Sequence, residues 1–215
     1  MNAETLQACY WENGGLLLGR EFSQDQEEII QDFIKIRGLL GVIRYQEVFS
    51  VVPHGEDNFF EMGFCRVVSD DEAFPYVYIN AWKRVGDQWK IEFQALAEQK
   101  EQAADMKEID RARVLWQERS NAHDHQTLVA ASYSPDGYYF NQGRIHKGTA
   151  AISEVYSYMS RPDWQITLTP ISVLPAGPEL VLELGQYQSG GTGHYLIAWE
   201  KQDDGVWQVL LDFNF

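Results

Sequence analysis

Cysteine is nearly absent: Cys9 and Cys65 are the only two in 215 residues. Two thiols make neither a disulfide framework nor a four-ligand zinc site of their own, and they suit buried side chains in a reducing cytoplasm. A Cys9–Cys65 disulfide stays open at this level. Apolar runs are short, and none approaches the roughly 18–20 residues of a membrane helix. The opening MNAETLQACYWENGG has no basic segment leading into an apolar one, so no secretory signal is expected and the location implied is cytoplasmic. Basic residues are also scarce. Lys and Arg number 17 against 32 Asp and Glu, a net charge of −15. That sign opposes phosphate backbones and anionic lipid, which argues against nucleic acid and membrane as partners. There is no glycine-rich phosphate loop, no G-x-S-x-G elbow and no H-E-x-x-H. The glycine run SGGTG, Ser189–Gly193, lies between two strand-like stretches and reads as a hairpin loop.

What is present is a folded, acidic chain, 45% hydrophobic and 13% aromatic. It contains an internal repeat. SVVPHGEDNFFEMG, Ser50–Gly63, returns without a gap as SVLPAGPELVLELG, Ser172–Gly185, at a spacing of 122 residues. Upstream the same offset aligns Thr5 with Thr127, Leu6 with Leu128, Ala8 with Ala130, Gly15 with Gly137 and Ile30 with Ile152. Downstream, Trp82 pairs with Trp199 and Trp89 with Trp207 once a shorter loop is allowed.

In the second copy, Met106, Ile109, Arg113 and Trp116 are spaced for one face of a helix ending near Asn121. A short helix over Gln126–Tyr133 is expected to stop at the turn SPDG, and a third to cover Thr149–Met159. Four strands follow at Gln165–Leu174, Leu180–Ser189, His194–Gln202 and Val206–Phe213, separated by hairpin turn chemistry. The first copy repeats the strands at Tyr45–Val52, Asn58–Val68, Tyr76–Arg84 and Gln88–Leu96, but a counterpart of the Met106 helix would precede residue 1. The polar stretch AEQKEQAADMKEID between the copies is expected to be a helical connector.

Certain residues of the second copy carry a family resemblance. They are Trp116, Ala122 and Asp124; Tyr133–Gly137 (YSPDG); Gly148–Ile152 (G-x-x-A-I); Leu182–Tyr187 (LELGQY); Tyr195 with Trp199; and Asp204–Asp212 (D-G-x-W-x-V-x-x-D). In this order they resemble the nuclear transport factor 2-like superfamily, in particular its SnoaL-like branch. The resemblance implies an α+β fold of two cone-like domains, each a curved, cystatin-like antiparallel sheet packed on helices. Residues 1–100 would be a truncated domain lacking its opening helix and 101–215 a complete one. The two would form an intrachain pseudo-dimer, with a homo-oligomer left open.

For the site, the resemblance implies cone-lining acid–base residues, as in enzymes similar to ketosteroid isomerase or scytalone dehydratase. A carboxylate inside an apolar sheet has its pKa raised toward neutrality. Asp212 is therefore the catalytic candidate, against the plainer alternative of an exposed strand-end carboxylate. Its counterpart in the first copy is Gln94, which does not titrate. Tyr138, Tyr187, Tyr195 and Trp199, with Glu183 and Asn214, make the ligand-binding set. The aromatics equally suit core filling, and the sharing of Glu183 with Glu61 favours a structural role for that carboxylate. The cluster NAHDH, Asn121–His125, reads as helix capping rather than a metal site, and no metal or cofactor is expected. His146 is a weaker candidate at the pocket mouth. The function expected is binding of a small apolar or aromatic molecule in the second cone. The alternatives are a cofactor-free lyase or isomerase with Asp212 as base, and a non-catalytic association module.

Overall fold

A computed structural model describes residues 8–40, 42–69 and 72–214. The chain divides into two compact units, Met1–Glu101 and Gln102–Phe215. Unit one contains β1 (Tyr10–Leu18), β2 (Glu21–Ser23), α1 (Gln26–Leu40), β3 (Val42–His54), β4 (Asn58–Ser69), β5 (Glu72–Val85) and β6 (Gln88–Glu98). Unit two begins with α2 (Met106–Asn121), α3 (His125–Ser132), β7 (Tyr133–Asn141), β8 (Arg144–Lys147) and α4 (Gly148–Val155). A 3-10 turn at Tyr156–Ser160 then leads to β9 (Thr167–Pro175), β10 (Leu180–Gln188), β11 (Thr192–Lys201) and β12 (Trp207–Asn214). No helix among the described residues is long and apolar enough to cross a membrane.

Each unit is an α+β fold around one six-stranded sheet, ordered β2-β1-β6-β5-β4-β3 in unit one and β8-β7-β12-β11-β10-β9 in unit two. The four meander strands pair antiparallel, but β1 runs parallel to β6 and β7 parallel to β12. This departs from the all-antiparallel sheet expected. The first strand of each unit is joined to the last not by a hairpin but through a helix and four strands, the kind of long connection parallel neighbours require.

The two sheets share three bulges, and β3 has one more at Arg44. Phe49 in β3 and Ile171 in β9 are skipped by their partner strands, as are Glu92 in β6 and Leu210 in β12. Residues 11–14 and 134–137 form a wider bulge in β1 and β7. Bulges bend and twist a strand, so placing them at the same three points gives both sheets the same curvature. The wide bulge corrects two expectations. SPDG does not break the chain between helix and strand; it lies inside β7. The glycine matching Gly137 is Gly14, not Gly15, because Tyr10 and Tyr133 hold the same register position. A Cβ on Gly137 would stand 2.9 Å from Ser134 O, and one on Gly14 would stand 3.0 Å from Ile91 O, so the backbone here packs too closely for a side chain. The buried isoleucine of α1 is likewise Ile29, one place before the aligned Ile30. Thr5 and Leu6 lie outside the described residues.

The expected helical connector is not helical. Residues 99–105 have no helical turn, and α2 begins at Met106, where the Asp105 side chain accepts from Lys107 N at 3.0 Å. A polar stretch without an apolar face gains nothing from packing that would offset helix nucleation. From there α2 buries Ile109, Arg113, Trp116 and Ser120, one stripe laid on the sheet. Leu128 and Val129 of α3, Ile152 of α4, and Val181, Ile197, Trp199 and Val209 of the sheet complete that core. In unit one the corresponding core gathers Tyr10, Leu16, Ile29, Cys65, Tyr76, Tyr78, Ile91 and Leu96. Cys9 and Cys65 are both free thiols.

Candidate functional site

Two carboxylates face the helices of unit two, in different states. Glu183 in β10 is fully buried and saturated. Arg113 of α2 donates to it twice, Nε to Oε1 at 2.6 Å and Nη2 to Oε2 at 2.9 Å. Tyr195 Oη donates to Oε1 at 2.7 Å, and Trp199 Nε1 to Oε2 at 2.9 Å. The phrase shared by the two copies now has a physical cause. Gly185 lies opposite Tyr195 on β11, and a Cβ there would fall 2.2 Å from the phenol ring. The glycine lets Tyr195 lie flat along the sheet and reach the glutamate two residues earlier. In unit one Gly63, Tyr78 and Glu61 repeat the arrangement, with a Cβ on Gly63 2.4 Å from Tyr78 Oη.

Asp212 in β12 is the opposite case. It is buried, and its Oδ2 accepts from Tyr133 Oη at 2.8 Å and from Tyr156 Oη, while its Oδ1 is buried without a hydrogen-bond partner. Burial pushes its carboxyl up to about 6, and Tyr156, Tyr133 and Asn214 pull the other way. Burial and the neighbouring Asp212 charge hold both phenols well above their usual range, so they stay protonated donors at neutral pH. In unit one Gln94 occupies the same register position. It accepts from Tyr10 Oη, the counterpart of Tyr133, and donates to Asn80 at 2.7 Å, so the network is repeated with a neutral amide in place of the acid.

Strict alternation along the last strand fails at Leu210. Trp207 and Val209 belong to the helix-side core, yet Asp212 pairs with Ile197 of that same core, while Leu211 and Phe213 are buried on the other face. The bulge shifts the period by one residue and turns Asp212 inward.

Asp212 lies on the wall of a cavity of about 260 Å³. Trp116, Tyr139, Tyr156, Tyr158, Trp164 and Tyr187 supply most of its aromatic surface, with Tyr195, Asn141 and Asn214 also on the wall. Of the residues read from sequence, Asp212, Tyr187, Tyr195 and Asn214 line this space. Tyr138, Glu183 and Trp199 do not. Tyr138 packs under Lys147 Nζ, 5.2 Å from its ring, while Glu183 and Trp199 bond each other behind the wall. His146 rests against the Tyr139 ring. Asp124 caps α3, accepting from Thr127 N at 3.0 Å. Sequence reasoning missed Tyr156, Tyr158 and Trp164. Tyr156 and Tyr158 fall within the expected third helix and Trp164 beyond it; the helix ends at Val155, and the 3-10 turn that follows brings Tyr156 Oη to Asp212.

The Asp212 shift has a definite sign in stability. A carboxyl raised from 3.8 to about 6 binds more protons in the folded state, so between those values stability falls as pH rises. Fully above the window this costs about 3 kcal/mol, and below pH ~4 it costs nothing. Asp212→Asn is expected to flatten that slope and to be the more stable protein at pH 7–8. Urea titrations of both proteins across pH 3.5–8 check this, and identical slopes would contradict it.

Neither a family model nor a curated protein matches the chain. Solved structures similar to part of it include an NTF-2 like protein of unknown function from Shewanella oneidensis MR-1, 14% identical over 51% of this chain and 97% of that one, TM-score 0.45. Another is a domain of unknown function with a cystatin-like fold from Nostoc punctiforme PCC 73102, 16% identical over 51% and 75%, TM-score 0.44. A ketosteroid isomerase-like protein from Erwinia carotovora atroseptica is 18% identical over 49% and 91%, TM-score 0.39. Each spans about the length of one unit. At these TM-scores the likenesses carry no weight of their own; the α+β description rests on strand order, register and bulges.

Proposed function

We propose that unit two binds a small, largely apolar molecule bearing one hydrogen-bonding group, with that group seated on Asp212. One observation carries this: a buried carboxylate oxygen without a partner belongs to a residue on the wall of a cavity lined by seven aromatic side chains. Buried polar atoms are paired in the great majority of cases, so an unpaired one beside a cavity marks a place for a ligand or a water. At about 260 Å³ the space falls just under the ~300–1,000 Å³ of drug-sized pockets, which selects a compact ligand.

A second reading, proton transfer in a cofactor-free lyase or isomerase, is favoured by the carboxyl lying near 6, close to the operating range of a general base. Tyr195 is engaged by Glu183, which leaves Tyr187 to polarise a substrate. Incubation with a mixed metabolite pool, followed by native mass spectrometry, tests the binding reading. The wild type should retain a small neutral or weakly basic molecule, and Asp212→Asn should retain it at least about ten-fold less, the loss of one good hydrogen bond to a charged group. Equal retention by both proteins would remove Asp212 from the site.

A further inference from the structure

Register equates each residue of one sheet with one of the other, and the residues that α2 covers in unit two are uncovered in unit one. Trp207 is 7% exposed and donates to Glu108 of α2 at 2.8 Å; its counterpart Trp89 is 42% exposed. Val173 packs on the unit-two core, while its counterpart Val51 is 56% exposed. Trp199 Nε1 is bonded to Glu183, whereas Trp82 Nε1 is buried with no partner. Glu183 holds Arg113, whereas Glu61 is half-buried, accepts from Asn80 at 3.2 Å, and has no arginine or lysine against it among the described residues. Phe59 ties these groups into one patch, its ring 5.8 Å from Trp82 and 4.9 Å from Trp89. Helix α1 does not serve here: it packs on β1 and β4, burying Ile29 among Tyr10, Cys65 and Val67.

We propose that the patch of Val51, Phe59, Glu61, Trp82 and Trp89 is a docking surface for an amphipathic helix of another polypeptide, with an arginine of that helix bonded to Glu61. Unit two shows what such an occupant does. It lays an apolar stripe on the strands, delivers a guanidinium in fork geometry to the glutamate, and places a carboxylate, Glu108, against the indole of Trp207. Charge agrees with this choice. A half-buried carboxylate with no cation against it among the described residues, in a chain of net charge −15, selects a cationic group over an acidic or neutral one. Trp82 Nε1 adds a buried donor without an acceptor at the same patch. The surface belongs to unit one and the Asp212 cavity to unit two, and the proposal does not rest on that cavity binding anything.

The probe is a labelled synthetic peptide of residues 104–122, the sequence already known to fit the homologous sheet, titrated with the full-length protein and followed by fluorescence anisotropy. Saturable binding is expected, with Kd on the order of 1–100 µM, since a short helix must order as it binds. Glu61→Gln in the protein and Arg113→Met in the peptide should each weaken binding by about ten-fold or more, and together no further, because they remove the same pair. Circular dichroism melting of the Glu61→Gln protein guards against misfolding, and Val51→Asp, at an exposed position, supplies a second disruptive variant. No saturation up to about 1 mM, or equal affinity for Glu61→Gln and wild type, would overturn the proposal. So would a chain that sediments as a dimer and becomes monomeric with Val51→Asp, because the occupant would then be a second copy of this sheet.

Discussion

Arg113→Met is expected to destabilise unit two by roughly 3–5 kcal/mol, read as a lower urea midpoint of its transition with an unchanged slope. Glu183 is wholly excluded from solvent and receives four hydrogen bonds, two of them from Arg113. Removing the guanidinium leaves a buried carboxylate with only a phenol and an indole as donors. Asp110, which also accepts from Arg113 at 2.8 Å, is exposed and loses little. The converse experiment separates the pair from the burial. Arg113→Met with Glu183→Met removes both charges and should recover part of the loss. Recovery stays incomplete because Tyr195 Oη and Trp199 Nε1 lose their acceptor, at a cost of about 1–3 kcal/mol each. If Arg113→Met alone cost less than about 1 kcal/mol, the contact would be no tighter than a surface ion pair.

Gly185→Ala should be comparably damaging, with a loss of roughly 3 kcal/mol or more from a single added methyl. The new Cβ would overlap Cζ and Oη of Tyr195 at 2.2 Å. That ring has little freedom to swing away, being 2% exposed with its hydroxyl held at 2.7 Å by Glu183. Relief would therefore require separating β10 from β11 or giving up the glutamate contact. Gly191 supplies the comparison: a Cβ there meets nothing within 4 Å and its φ is not positive, so Gly191→Ala should stay within about ±0.5 kcal/mol. Parallel thermal melts of the two variants decide the matter. Similar melting temperatures would mean that Tyr195 has room the geometry denies it.

The repeat, the meander strands and hairpin positions of both copies, and the helices of the second were legible, because turn residues and periodic apolar patterns act locally; β1, β2 and α1 of the first copy and β8 were not read. The connector was misread for the reason that propensity alone is a weak guide; AEQKEQ favours helix but has no face to bury. SPDG was misread because a four-residue bulge and a turn use the same amino acids, and only pairing with β12 distinguishes them.

The candidate site divides in the same way. That Asp212 and Gln94 hold equivalent places, and that a glutamate and a glycine recur together in both sheets, follows from the sequence. The inward direction of Asp212 does not. Counting by twos from Trp207 sends Asp212 to the opposite face, and it reaches the cavity only because Leu210 bulges out of register. Such a bulge depends on which residue of β11 bonds which residue of β12, a long-range fact no local pattern encodes. Tyr133 and Tyr156 meet at Asp212 from a parallel strand and a 3-10 turn, 79 and 56 residues away along the chain. Tertiary structure alone also decided that Glu183 would be saturated and Asp212 left with an unpaired oxygen. Both sit at apolar strand positions, and what separates them is which donors the packing of α2 brings within hydrogen-bond reach.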